Sequence, residues 1–125
     1  MLSRADFARK YGSRMANAEV QLAIELNRRG IYDFLTQYEF LFVFQVDGVH
    51  GTIIDLYFPK HSFAVYLDGD EVHKGLVRER RDLLINQALR RRGIRVRRFT
   101  YHAPITKRRL MEIADEIEKE LKVTK

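Results

Sequence analysis

Apolar positions first recur at helical spacing. Ala16, Val20, Ala23 and Ile24, with Met15, follow Ser13 at three- and four-residue intervals, and Gly30 ends the run. Upstream, Ser3 followed three residues later by Asp6 predicts a short capped helix. From Tyr38 to Leu67 the period shortens and the residues turn aromatic and β-branched. Tyr38–Val46 reads as a strand, Asp47-Gly48 as a turn, and Gly51 as a flexible point before a second strand, Thr52–Phe58, which Pro59 breaks. Phe63–Leu67 is nearly all apolar, so a third strand is expected to lie centrally, buried on both faces. Helical spacing returns over Gly75–Arg92 through Leu76, Leu83, Leu84, Ala88 and Leu89, closed by Gly93. In a fourth strand, Ile94–Thr100, Ile94 and Val96 face one way and Arg95 and Arg97 the other. Beyond Pro104, the stripe Leu110, Ile113, Ile117 and Leu121 predicts a final helix.

The expected order is therefore α-α-β-β-β-α-β-α, an α/β fold with a mixed central sheet flanked by helices. The helix between the third and fourth strands is a crossover, so those strands are expected to run parallel as neighbours or near neighbours. With 125 residues and no linker or repeat, the chain reads as one domain over 1–125 with a real core. Its apolar runs, such as Phe40-Leu41-Phe42-Val43-Phe44, are too short to span a bilayer, and no signal peptide follows Met1. There are no cysteines, which excludes disulfides and thiolate zinc sites and fits a cytoplasmic protein.

Charge changes the picture. The net charge is +6, and between Lys74 and Arg109 there are thirteen Lys or Arg against two acids, Glu79 and Asp82. A basic block within a folded domain points to a polyanion, most often nucleic acid. Arg90-Arg91-Arg92 has a structural reason, since cations suit a helix carboxyl end. That reason does not extend to Arg95, Arg97 and Arg98, nor to Lys107-Arg108-Arg109; phosphate contacts would account for all three groups.

The acids are fewer and better placed. Asp55 sits inside the apolar strand Ile53-Ile54-Asp55-Leu56-Tyr57-Phe58, where a lone carboxylate is costly. Either a metal ion compensates it, or a backbone N–H or an arginine does. Asp68-Gly69 ends the third strand and by its residues alone reads first as ordinary turn chemistry, with a ligand role as the alternative. His73 follows within one loop and suits proton transfer near neutral pH; a loop histidine is otherwise a surface residue, the reading given to His50, His61 and His102. Asp82 either serves that histidine or pairs with Arg78 one turn earlier. Glu19, by its residues alone, reads as a solvent-facing glutamate. Tyr57, Phe99 and Tyr101 read as sheet residues. No phosphate-binding glycine loop, HExxH or serine elbow occurs, which disfavours nucleotide-triphosphate hydrolysis and serine hydrolase chemistry.

Taken together, Asp55, Asp68-Gly69, His73 and Asp82, with Leu89, Gly93, Val96 and Phe99 in a D-x6-L-x3-G-x2-V-x2-F segment, resemble the very-short-patch-repair (Vsr-like, EDxHD) branch of the PD-(D/E)XK nucleases. The resemblance runs from about Glu19 to Phe99. It implies a three-layer restriction-endonuclease-like fold and a Mg²⁺-dependent DNA endonuclease, with Mn²⁺ as a substitute ion. By the same resemblance Asp55 is the principal ligand, helped by the Leu67 backbone carbonyl or Asp68; His73 moves the proton, Asp82 orients it, and Glu19 holds an outer-shell water. Lys74, Arg78, Arg81, Arg97 and Arg98 are the expected phosphate contacts.

Three departures bear on this. Tyr66 stands where many members carry the glutamate of E-x-K. No cysteines are present for the structural zinc of the mismatch enzymes. The acidic Asp70-Glu71-Val72 replaces an intercalating wedge, so mismatch recognition is not expected. Two alternatives stay open: a catalytically silent nucleic-acid-binding relative serving a larger nuclease or mobile-element complex, and an interaction protein whose basic face binds an acidic partner. A homodimer would let so small a domain cut both strands.

Overall fold

The computed structural model describes residues 17–46, 48–69 and 75–123. The helix expected at Ser3 lies outside them. Among the described residues the chain is an α/β fold: a four-stranded mixed sheet and three helices. The elements are α1 (Asn17–Arg28), β1 (Leu35–Val46), β2 (Val49–Phe58), β3 (Phe63–Asp68), α2 (Leu76–Arg91), β4 (Arg95–Thr100) and α3 (Lys107–Val123). A 3-10 turn, Pro59–His61, links β2 to β3. No helix among the described residues is long and apolar enough to cross a membrane.

The sheet order is β1-β2-β3-β4. β1, β2 and β3 form an antiparallel meander. β4 runs parallel to β3, from Phe63 opposite Arg95 to Asp68 opposite Thr100. The crossover through α2 thus yields the parallel pair that the pattern predicts. β3 is central, and Phe63 to Leu67 are all buried.

Side-chain alternation divides the core between the two faces. Leu56, Phe58, Phe63, Val65, Leu67 and Phe99 pack against Leu22 and Leu26 of α1 and Leu110, Ile113 and Ile117 of α3. Ile54, Ala64, Tyr66 and Val96 pack against Ile85, Ala88 and Leu89 of α2. Each fully buried leucine or isoleucine stabilises by about 1.5–3 kcal/mol relative to exposure. α1 and α2 end alike: Gly30 and Gly93 take φ of 84° and 79°, and the next residue's N–H returns to Leu26 or Leu89 at 2.9 and 3.0 Å. That is the Schellman stop, where glycine carries the left-handed residue without strain.

Two expectations are corrected. Gly51 is not a hinge before β2 but a residue within it. A Cβ there would come within 2.6 Å of the Phe40 carbonyl oxygen, so glycine permits close approach of β1. On α2, Leu76 and Leu83 are exposed, not part of the buried stripe. The helix meets the sheet through its later turns, and its first turns stand away from it.

Candidate functional site

β1 is longer than its partner requires. Val46 pairs with Val49, but Leu41 pairs with Gly51, so three more β1 residues than β2 residues fall between the two pairs. The shift carries through the hairpin. Thr36 pairs with Leu56 and Tyr38 with Ile54, which brings Gln37 across from Asp55. Gln37 adopts φ 51°, the left-handed region that costs a non-glycine residue on the order of 1–3 kcal/mol. On the other side of Asp55, β2–β3 pairing stops at Leu56–Val65. The Leu67 N–H therefore donates to Asp55 Oδ2 at 2.8 Å.

Glu19 completes the cluster. It is buried on α1, contrary to the solvent-facing reading, because it lies on the helix face that packs on the sheet. The Gln37 amide nitrogen donates to Glu19 Oε2 at 2.6 Å and, more weakly, to Asp55 Oδ1 at 3.4 Å. Gln37 thus bridges the two carboxyls, donating to both. Burial pushes the Asp55 carboxyl above the ordinary range; the Leu67 N–H, Glu19 and Gln37 pull it down, and the negative charge of Asp68 raises it. No lysine or arginine among the described residues forms an ion pair with Asp55.

Asp55 opens onto a cavity of about 630 Å³ between the sheet and the raised first turns of α2. Asp68, Tyr66, Arg78, Arg81, Asp82 and Arg98 share its wall. Arg98 is held on three sides. Its guanidinium lies 4.0 Å from the centre of the Tyr66 ring, Nε donates to Asn86 Oδ1 at 3.0 Å, and Nη1 is 3.8 Å from Asp82 Oδ2. The Tyr66 hydroxyl shares a 2.8 Å hydrogen bond with Thr52, and burial raises its pKa, so it is neutral at pH 7. Arg78 and Arg81 are exposed at the mouth.

The structure thus brings Glu19, Asp55, Asp68, Asp82, Arg78, Arg81 and Arg98 to one end of the sheet. It does not bring Arg97 there. Arg97 lies on the opposite face, paired with Glu120 at 3.1 Å and Glu116 at 3.6 Å and stacked on Phe99. Strand alternation sends it toward α3 while Arg98 turns toward α2, so Arg97 is corrected from a phosphate contact to an interlayer ion pair. At Leu67 it is the N–H that meets Asp55; the carbonyl is the group the resemblance assigns to the ion. The ion pair made by Asp82 is to Arg98, not to Arg78. His73 and Lys74 lie outside the described residues. Among the described residues, no three or more His, Asp or Glu gather in a metal-binding group.

Gln37 was not foreseen. Counting back from the Asp47-Gly48 turn puts Phe40 across from Asp55; only the irregularity within β1 substitutes Gln37. No local signal in Thr36-Gln37-Tyr38 announces it.

No known protein-family model matches this sequence, and no curated protein matches it.

Proposed function

We propose that the chain is a divalent-metal-dependent endonuclease acting on DNA phosphodiesters, of the Vsr-like PD-(D/E)XK type. The observation that carries this reading is an acid pair, Glu19 and Asp55, bridged by the Gln37 amide, with no ion-paired cation on Asp55, beside a cavity walled by Arg78, Arg81 and Arg98. The order of strands and helices, with the acids where β2 and β3 part, agrees with the restriction-endonuclease-like fold that the resemblance implies.

The donor set fits a hard cation. Asp55 and Asp68 present carboxylate oxygens, and magnesium needs only one or two from protein because it keeps several waters. A dication would also compensate the burial that now favours the protonated Asp55. Asp55 and Asp68 would hold it, with Glu19 fixing Asp55 from behind. The chemistry a bound divalent cation supplies is polarisation of a phosphoryl oxygen and generation of a nucleophile from water at neutral pH. Arg98, fixed by Tyr66 and Asn86, presents its charge to the phosphate without needing to be ordered first. Arg78 and Arg81 hold the flanking backbone. His73 follows Asp68 by five residues in sequence and is the group assigned to proton transfer.

The test is Mg²⁺-dependent nicking of supercoiled plasmid by wild type, Asp55→Ala and His73→Ala. Nicking by wild type alone supports the assignment, and equal nicking by all three sinks it.

One observation favours a second reading. Tyr66 occupies the position of an acid in many relatives and is committed to Thr52 and Arg98. In a catalytically silent DNA-binding subunit, wild type would bind DNA with salt-dependent affinity and cut it under no metal.

A further inference from the structure

The acid-lined cavity has a neighbour. A second cavity of about 460 Å³ lies where β3 and β4 end, bounded by Asp68, Gly69, Tyr101, His102, Thr106 and Arg109. Asp68 lines both cavities, so they adjoin at one residue. The site is outside the carboxyl ends of the parallel pair, where open α/β sheets bind their ligands.

Asp68 is the acid on its wall, and the segment that closes it is basic. From Thr100 to Arg109 the chain carries Lys107, Arg108, Arg109 and His102, and no acid. Arg109 is anchored: Nε donates to the Thr100 carbonyl at 2.9 Å and Nη1 lies 3.4 Å from Glu112. Its Nη2 makes no bond among the described residues. The Arg109 N–H is satisfied by Thr106 Oγ1 at 3.1 Å, which fixes the start of α3. An arginine held by its stem with one edge unused suits a phosphate oxygen.

We propose that this second cavity binds the phosphodiester backbone of the same strand that enters the acid-lined cavity. The substrate is then a polynucleotide running across the ends of β3 and β4 past Asp68, not a mononucleotide. The proposal rests on the nuclease reading and adds a second set of contacts to it, on α3 and not on α2.

Anisotropy of a fluorescent DNA duplex, titrated with the full chain in EDTA over a salt series, tests it. Losing one phosphate contact in Arg109→Gln should reduce the slope of log affinity against log salt by about 0.9, and affinity roughly eightfold near 0.1 M salt. Arg95→Gln, which removes one charge already held by Glu120, is the control and should change the slope little. If Arg109→Gln melts early, Arg109→Lys replaces it: it keeps the charge but not the forked donors, and should lower affinity while leaving the slope nearly unchanged. An Arg109→Gln variant no weaker than Arg95→Gln, with Arg78→Gln/Arg81→Gln strongly impaired, overturns the second cavity and leaves the nuclease reading intact. Absence of any DNA binding by wild type overturns both.

Discussion

The two faces of the sheet treat their arginines in opposite ways. Toward α3, Arg95 and Arg97 are taken up by Glu116 and Glu120. Arg29 joins α1 to the same helix, bonding Glu25 at 2.8 Å, Asp115 at 2.7 Å and Glu118 at 3.1 Å. Toward α2, Arg78 and Arg81 make no ion pair among the described residues, and Arg98 has only the 3.8 Å approach of Asp82. The acids of α3 neutralise one face, and the other stays available to a polyanion. Arginine density along a chain is therefore not a footprint; which face each residue takes decides whether its charge is spent on the fold.

That contrast can be broken or sharpened experimentally. The largest effect is expected at the acid pair. Asp55→Ala should lower Mg²⁺-dependent nicking by on the order of 10³-fold, since the metal contributes several kcal/mol to the transition state. Retained nicking would mean that the chemistry lies elsewhere.

Next come the two arginine sets. Arg78→Gln/Arg81→Gln should weaken DNA binding roughly fifty-fold near 0.1 M salt and flatten its salt dependence. Arg95→Gln/Arg97→Gln should leave binding nearly unchanged while costing about 1 kcal/mol of stability in denaturant titration, the scale of exposed ion pairs. The reverse pattern would abolish the distinction between the faces.

A smaller effect is expected at Gln37. Gln37→Gly keeps the left-handed backbone without strain but removes the amide that joins Glu19 to Asp55. Mn²⁺ affinity by calorimetry should fall about tenfold, as for other groups that orient metal ligands, while the melting temperature holds or rises. Unchanged affinity would make Gln37 a strand irregularity only.

The smallest effect is in the pH dependence of stability without metal. Burial raises the folded pKa of Asp55 above its unfolded value. Folding therefore favours the protonated acid, and this contribution is complete below the ordinary carboxylate range and lost as pH rises through the raised value. In EDTA, Asp55→Asn should melt with wild type at about pH 3 and progressively above it toward neutrality. Added Mg²⁺ should then raise the melting temperature of wild type but not of Asp55→Asn.

The elements were legible because apolar periodicity reports local geometry directly. The strand segments from Tyr38 to Thr100, the parallel β3–β4 pair and the α3 stripe all follow from spacing and the crossover rule. Asp55 was legible too, because a carboxylate in an apolar strand has few inexpensive explanations. Glu19 was legible only through the resemblance: its helix neighbours are the small and polar Asn17, Ala18 and Gln21, and nothing local shows which side meets the sheet. Leu76 and Leu83 misled for the converse reason, since periodicity registers an apolar position whether or not an element comes to cover it.

By itself, then, the sequence determined the succession of strands and helices, the buried β3, and a surplus of positive charge beside a few acids. These depend on interactions within some ten residues or on simple alternation. Only the tertiary structure decided the rest: that β1 slips by three residues and sets Gln37 against Asp55, that α1 brings Glu19 to the same point, and that adjacent arginines part, Arg98 to the cavity and Arg97 to the acids of α3. Register and helix packing are settled by long-range burial, and a carboxylate's partner is whichever group that burial brings within reach.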